Sequence, residues 1–149
     1  MIATFIEITT GLVSSTIACS AESDNALERI RLMSAAFYDY TMSHREETRV
    51  LIEAVSAARD KTMRRVLKSK FSELLGVIQG VLDEGVRQGA FKGDLDLALV
   101  AWEIMSLGVT LHLASLLGLD DILTREKAMA AVDRLLASIS TVSGKGEEP

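Results

Sequence analysis

The sequence predicts an all-α fold, an antiparallel bundle of about six helices, and three observations support this prediction. The single proline is the last residue, Pro149, so no helix contains an internal proline. Alanine, leucine, glutamate, arginine and methionine dominate the middle of the chain, which is typical of helices rather than sheets. Apolar residues also recur every three or four positions over long stretches. With 149 residues, the chain is long enough for one domain with its own core.

The first three helices are predicted from length and from capping signals. Residues 2–20 have mixed helix and strand propensities, but the length of the stretch favours a helix. Asn25 followed by Glu28 fits a capping box that opens the second helix. Ser43 followed by Glu46 repeats the signature, and we therefore expect Ser43 to cap the third helix.

Three more helices follow. Asp60 is expected to begin the longest helix, which reaches about Gln88 and stops at Gly89. Asp94 is expected to cap the next helix, residues 95–117, which is apolar nearly all round. Thr124 is expected to cap the last helix. Residues 143–149 have no apolar anchor and are predicted to form a disordered tail.

Charge and cysteine content limit the classes of partner and the compartment. The net charge of −5 argues against nucleic-acid binding by the domain as a whole, and the basic run at residues 61–70 is interpreted as a solvated face. The single cysteine, Cys19, excludes an intrachain disulfide and fits a reducing cytoplasm. We therefore expect a cytoplasmic protein.

Neither apolar stretch of the chain is interpreted as a membrane segment. Residues 1–21 lack the positive start of a secretory signal, because no lysine or arginine precedes Arg29. Residues 97–119 are long enough to span a bilayer, but a carboxylate such as Glu103 near the middle would cost about 2.5–3.5 kcal/mol on insertion scales. A buried helix of a bundle explains this stretch better, and we expect no membrane partner.

Catalytic and metal-binding motifs are missing from the sequence. The two histidines, His44 and His112, stand at no ligand spacing from each other or from Cys19. The sequence also contains no serine-centred turn, Gly-rich phosphate loop or Glu-x-x-His pair. We therefore predict that the protein is not an enzyme and uses neither a metal nor another cofactor.

Bulky and adaptable side chains on three helices indicate an apolar binding cavity. If these helices converge, the side chains can enclose a small hydrophobic ligand, with Tyr40, Trp102 and Glu103 as the polar contacts that orient it. The alternative is that methionine and aromatic stripes are simply core, which is the commoner fate of any single one of them. The candidate ligand-binding residues are Met33, Phe37, Tyr40, Met63, Phe71, Trp102 and Met105.

Self-association is the second predicted property. A glycine inside a helix costs roughly 1 kcal/mol relative to alanine, so such a glycine often marks a close approach between helices. Gly108 is a glycine of this kind. The face of the fifth helix that carries Gly108 and His112 is expected to pack with the last helix and their symmetry mates in a symmetric four-helix interface. The alternative is packing of Gly108 against the long helix of its own chain. The candidate interface residues are Gly108, Leu111, His112, Ser115, Val132 and Leu136.

Four stretches carry a resemblance to a known family. They are residues 45–58, the segment Glu84-Gly85-Val86-Arg87-Gln88-Gly89-Ala90-Phe91, the acidic restart Asp94-Leu95-Asp96, and residues 98–108. Over roughly residues 25–140, the pattern resembles the C-terminal regulatory domain of TetR-family transcriptional regulators, especially the betaine-regulator-like branch. The resemblance implies an all-α ligand-sensing domain that forms a homodimer through its last two helices. In such proteins, a ligand between the long helices shifts a connecting helix and changes the spacing of two DNA-reading heads.

The resemblance also implies a domain organisation. Residues 1–22 are assigned as the connecting helix and residues 23–142 as the ligand-binding and dimerisation domain. No helix-turn-helix motif is found in the chain, so DNA binding is expected only through an N-terminal domain that this sequence lacks. A fragment, a misassigned start and a natural headless relative all remain open, and the effector, the operator and the sign of regulation do not carry over. The alternatives are a headless helical adaptor that binds another protein through residues 97–117, or a carrier of small apolar ligands.

Overall fold

The computed structural model describes residues 2–142, and within this range the regular structure consists of six α-helices. The all-α prediction is therefore confirmed, while the predicted disordered tail lies outside the described residues. The helices are α1 (Ile2–Ser20), α2 (Ala26–Ser43), α3 (Arg45–Ser56), α4 (Lys61–Arg87), α5 (Leu97–Leu116) and α6 (Arg125–Ile139).

Three of the predicted helix caps are confirmed. The Asn25 side chain accepts a hydrogen bond from the Glu28 backbone N–H at 3.0 Å, and Asp60 accepts one from Met63 N–H at 2.9 Å. Thr124 caps α6 in the same way. Each cap satisfies one of the backbone donors that the first turn of a helix leaves unpaired.

The two other predicted caps are wrong. Ser43 is the last residue of α2, and its hydroxyl donates to the Asp39 carbonyl of the same helix at 2.6 Å. The hydroxyl therefore bonds to the preceding helix and does not cap α3. α5 is capped by Asp96, which accepts from Leu99 N–H at 3.2 Å, and not by Asp94. The helix therefore starts two residues later than predicted, and Leu95, which precedes it, packs against the larger cluster.

The turn after α4 is formed by a glycine and closed by backbone hydrogen bonds. Gly89 ends the helix with a φ of +73°, a conformation that glycine adopts at little cost. The N–H groups of Ala90 and Phe91 then both donate to the Gly85 carbonyl, at 2.8 and 3.2 Å. This turn places the Phe91 ring over α4, where it is only 1% exposed.

Two hydrophobic clusters hold the bundle together. The larger joins α2, α4, α5 and α6 around buried residues such as Ile30, Leu82 and Val100. The smaller joins α1 and α3 to the first half of α4 around Phe5 and Leu51. Phe71 packs against both clusters, and the buried apolar residues of α1, such as Phe5 and Leu12, belong to the smaller one.

Two helices, α1 and α5, are long and apolar enough to pass a test for membrane spans that uses length and composition only. The core helix of a globular protein passes the same test. Both helices also contribute buried side chains to the bundle, for example Leu12 from α1 and Met105 from α5.

Candidate functional site

A cavity of about 560 Å³ lies between the two hydrophobic clusters. All six helices contribute to its wall, and most of the wall is apolar. This volume falls within the range of roughly 300–1,000 Å³ that is usual for small-molecule sites. The cavity can therefore hold a small molecule with a largely hydrophobic surface.

The first helix forms one whole side of the cavity. It contributes Phe5, Leu12 and Val13 together with two threonines, Thr9 and Thr16. Sequence reasoning sought the cavity on the second, fourth and fifth helices only and missed these residues. The apolar stripe of α1 was visible in the sequence, but nothing in it indicated that the stripe faces open space rather than core.

Most polar groups in the cavity wall already have partners. The hydroxyl groups of Thr9, Thr16 and Ser34 donate to backbone carbonyls of their own helices at 2.8 Å each. The Tyr38 hydroxyl donates to the Leu123 carbonyl at 3.3 Å, and the Lys70 ammonium forms an ion pair with Glu73 at 3.1 Å. These groups are therefore poor hydrogen-bonding partners for a ligand.

His112 differs from the other polar residues of the wall. Its imidazole lies on α5, forms no hydrogen bond with residues 2–142, and stacks on the Phe37 ring with a centroid distance of 5.0 Å and an interplanar angle of 24°. Burial lowers the pKa of His112 to about 4, so the ring is neutral near pH 7. A neutral imidazole offers one donor and one acceptor.

The missing side chain of Gly108 makes room for this stack. A Cβ at Gly108 would stand 3.1 Å from Cε1 of Phe37, closer than nearly all real Cβ contacts. Gly108 and His112 are one turn apart on the same face of α5, and this spacing is the signal that relates the glycine to the histidine.

Four of the seven residues predicted to bind ligand line the cavity: Met33, Phe37, Phe71 and Met105. The remaining three lie elsewhere. Met63 is buried in the smaller cluster, and Trp102 is 53% exposed on the outside of α5. The Tyr40 hydroxyl donates to Glu47, and burial together with this bond raises the tyrosine pKa to about 12. Glu103, the other expected polar contact, is exposed.

The residues predicted to form the dimer interface are directed into their own chain. Gly108, Leu111 and His112 line the cavity, as does Val132. Ser115 is buried and donates to the Thr41 carbonyl at 3.5 Å, and Leu136 belongs to the larger cluster. The close approach at Gly108 is made by Phe37 of α2.

α5 also carries a row of exposed apolar side chains, here called the outer stripe. It consists of Leu99, Trp102, Val109, Leu113 and Leu117, with exposed fractions between 42% and 70%. Val109 and Leu113 belong to the cavity lining as well, so the outer stripe runs along one rim of the cavity. Contiguous apolar surface of this kind is typical of protein interfaces.

No group of three or more metal-ligating side chains occurs within residues 2–142. The cavity wall therefore offers shape, apolar surface and a few hydrogen-bonding groups, which are properties of a binding site.

Comparisons with known proteins identify the family. No curated protein matches the sequence. The solved structure of the ketosteroid transcriptional regulator KstR2 of Mycobacterium tuberculosis is similar to this chain, with a TM-score of 0.69 and 17% sequence identity over 91% of this chain and 68% of that one. The family profile of the tetracyclin repressor-like C-terminal domain matches residues 27–114, which is more than half of the chain. The chain therefore belongs to the tetracyclin repressor-like (TetR) family, with the fold of the C-terminal domain of its regulators.

Proposed function

We propose that this chain is the effector-sensing and dimerisation domain of a cytoplasmic TetR-type transcriptional regulator, and that a small hydrophobic ligand in its cavity modulates DNA binding by a helix-turn-helix domain. Regulators of this family are transcription factors, and their C-terminal domains typically sense ligands and dimerise. The observation that carries the proposal is the cavity of about 560 Å³ with its apolar wall.

The position of α1 connects ligand binding to regulation. The resemblance to TetR-family regulators implies that the first helix joins the sensing domain to the DNA-reading domain. Here α1 supplies a side of the cavity, with Phe5 and Leu12 in its wall. A ligand that contacts α1 differently in two positions of the helix shifts the balance between them, which is the requirement for an effector.

Ligand entry is tested with the uncharged fluorescent probe N-phenyl-1-naphthylamine. The variants Leu74→Trp and Ile104→Trp enlarge side chains on two walls of the cavity, and Val142→Trp adds the same group at a position that is 78% exposed and outside the cavity lining. We expect at least about tenfold weaker binding in the two wall variants, the equivalent of about 1.4 kcal/mol, and no change in Val142→Trp, because Val142 is not part of the cavity lining. Equal affinity in all three variants would place the probe outside the cavity.

Coupling to α1 is tested by hydrogen exchange. Saturation with the probe should slow amide exchange within residues 2–20, because the bound molecule adds contacts to Leu12 and Val13. Protection confined to α2, α4 and α5 would contradict the role given to α1.

The dimer is proposed to form through the exposed faces of α5 and α6. Of the six interface residues expected from the sequence, Gly108, Leu111, His112 and Val132 line the cavity of their own chain, and Ser115 and Leu136 are buried. The outer stripe provides exposed apolar surface on α5, with Trp102 as its largest side chain. Tryptophan is strongly enriched among the residues that dominate interface energies.

The oligomeric state is tested with one charge at two positions. Trp102→Glu places a carboxylate on the outer stripe, whereas Val142→Glu places it at another exposed apolar position. In sedimentation experiments, we expect a dimer for the unmodified chain and for Val142→Glu, and a monomer for Trp102→Glu. A Trp102→Glu dimer of unchanged stability would remove the outer stripe from the interface.

A further inference from the structure

We propose that His112 recognises the ligand, and that the ligand is an uncharged, largely apolar molecule carrying one hydroxyl or carbonyl group that hydrogen-bonds to the imidazole. This inference rests on the proposed function, because it names the chemical class that the cavity takes. The imidazole nitrogens have no partner within residues 2–142. In contrast, other hydroxyl groups of the wall are already bonded to the protein, namely those of Thr9, Thr16, Ser34 and Tyr38.

The imidazole nitrogens are not sealed off inside the protein. Within the described residues, the side-chain atoms that are both sealed off and unpaired are Arg29 Nε and Thr41 Oγ1. The nitrogens of His112 are not among them, although the residue is half-buried and lines the cavity. A molecule in the cavity can therefore reach them.

The orientation of the imidazole is fixed before any ligand arrives. Phe37 covers one face of the ring at 5.0 Å, and Gly108, one turn earlier on α5, leaves the space that Phe37 occupies. Stacking restricts the plane of the ring and leaves its nitrogen-bearing edge free. A preorganised group loses little conformational entropy when it binds, which increases its contribution to affinity.

The charge state selects the kind of group that is bound. Burial holds the pKa of His112 near 4, so the ring carries no charge at neutral pH. A neutral imidazole with one donor and one acceptor matches a hydroxyl group, which has both, or a carbonyl group, which accepts. A carboxylate would find no cation at this position, and the Lys70 ammonium elsewhere in the wall is already paired with Glu73.

The test compares 2-naphthol with 2-methylnaphthalene, two uncharged probes of similar shape that differ in one hydroxyl group. The affinities of both are measured for the unmodified chain, for His112→Phe and for His112→Gln. Phenylalanine keeps the stacked ring and removes the hydrogen bond, whereas glutamine keeps a donor and an acceptor. For each protein, the affinity for 2-naphthol is divided by the affinity for 2-methylnaphthalene. These ratios are then compared between the proteins, so the difference in hydration between the two probes cancels.

We expect the ratio in favour of 2-naphthol to fall about tenfold in His112→Phe and to be restored at least in part in His112→Gln. Retained affinity of His112→Phe for 2-methylnaphthalene shows that the variant is folded with its cavity intact. An unchanged ratio in His112→Phe overturns the inference and leaves the cavity as a binding site. Failure of both probes to bind the unmodified chain overturns the proposed ligand site together with the inference.

Discussion

Substitution of Gly85 by alanine should destabilise the protein, although alanine is the better helix former. Gly85 lies near the end of α4, and a Cβ placed there would be 2.2 Å from Cδ2 and 2.3 Å from Cε2 of the Phe91 ring. Carbon atoms that pack well are about 3.5–4.0 Å apart, so the ring would have to withdraw by more than about 1 Å.

The surrounding structure resists this withdrawal. The Phe91 backbone N–H donates to the Gly85 carbonyl at 3.2 Å, and Lys92 N–H donates to the Ile139 carbonyl at 2.9 Å. The Cβ would also stand 3.1 Å from the Cβ of Ala26 on α2. Overpacking typically costs about 1–3 kcal/mol, and complete expulsion of a buried phenylalanine costs about 3–5 kcal/mol. The gain in helix propensity offsets about 1 kcal/mol.

We therefore expect a net loss of about 2 kcal/mol for Gly85→Ala, or roughly 4–8 °C in Tm. Gly76 and Gly80 in the same helix provide matched controls, because a Cβ at either one meets nothing within 4 Å. Alanine at these positions should raise stability by about 0.5–1 kcal/mol. Thermal and urea unfolding at a single protein concentration measure all three variants, since the Tm of any protein that dimerises depends on its concentration.

The opposite signs of these substitutions make the reasoning refutable. If Gly85→Ala is as stable as Gly80→Ala, the Phe91 ring does not rest on Gly85. The double variant Gly85→Ala/Phe91→Leu provides a second check, because the smaller side chain leaves room for the new methyl group. If the two residues are in contact, the double variant should lose less free energy of unfolding than the two single variants lose in sum.

Three further predictions concern buried polar groups and one cap. Thr41→Val should raise stability by about 1 kcal/mol in urea unfolding, because the Thr41 hydroxyl is buried without a partner; a loss would indicate that the hydroxyl is bonded. The pKa of His112 is about 4 in the folded protein, below the ordinary histidine value of 6.5. Between pH 6.5 and pH 4, the imidazole is therefore protonated in the unfolded chain and neutral in the folded one. Stability should fall by up to about 3 kcal/mol as pH drops through that window, and His112→Gln should remove this slope from unfolding curves. Asp60→Ala should cost about 1 kcal/mol through loss of the α4 cap, and unchanged unfolding would argue against the hydrogen bond to Met63 N–H.

The fold follows from local signals in the sequence, which is why most of it could be predicted. Asn25, Asp60 and Thr124 each cap the helix that they precede, and Gly89 ends α4. These interactions involve residues within a few positions of one another, so their pattern is visible without a tertiary structure. The Asp94 prediction was wrong because two acidic residues, Asp94 and Asp96, stood at suitable positions, and the sequence pattern did not distinguish between them.

The cavity could be predicted only in part, because periodicity tells which face of a helix is inward and not what that face meets. Met63 and Phe71 share the inward stripe of α4, yet Met63 is sealed in the smaller cluster whereas Phe71 borders open space. α5 is apolar nearly all round, so its pattern gives no direction at all. The outward position of Trp102 and the inward position of His112 are consequences of tertiary packing.

The position of the cavity between two clusters of unequal size suits the proposed sensor. α2, α4, α5 and α6 share the larger cluster, whereas the buried apolar residues of α1 belong to the smaller one and several α1 side chains line the cavity. A ligand that fills the cavity adds contacts to both groups of helices. On α1, these contacts add to the packing of Phe5, Ile8 and Leu12 in the smaller cluster. Coupling between sites requires different contact energies in two states, so a ligand that contacts α1 differently in two positions of that helix changes their populations. Substitutions in the smaller cluster should therefore alter the response of α1 to ligand more than substitutions of equal cost in the larger cluster.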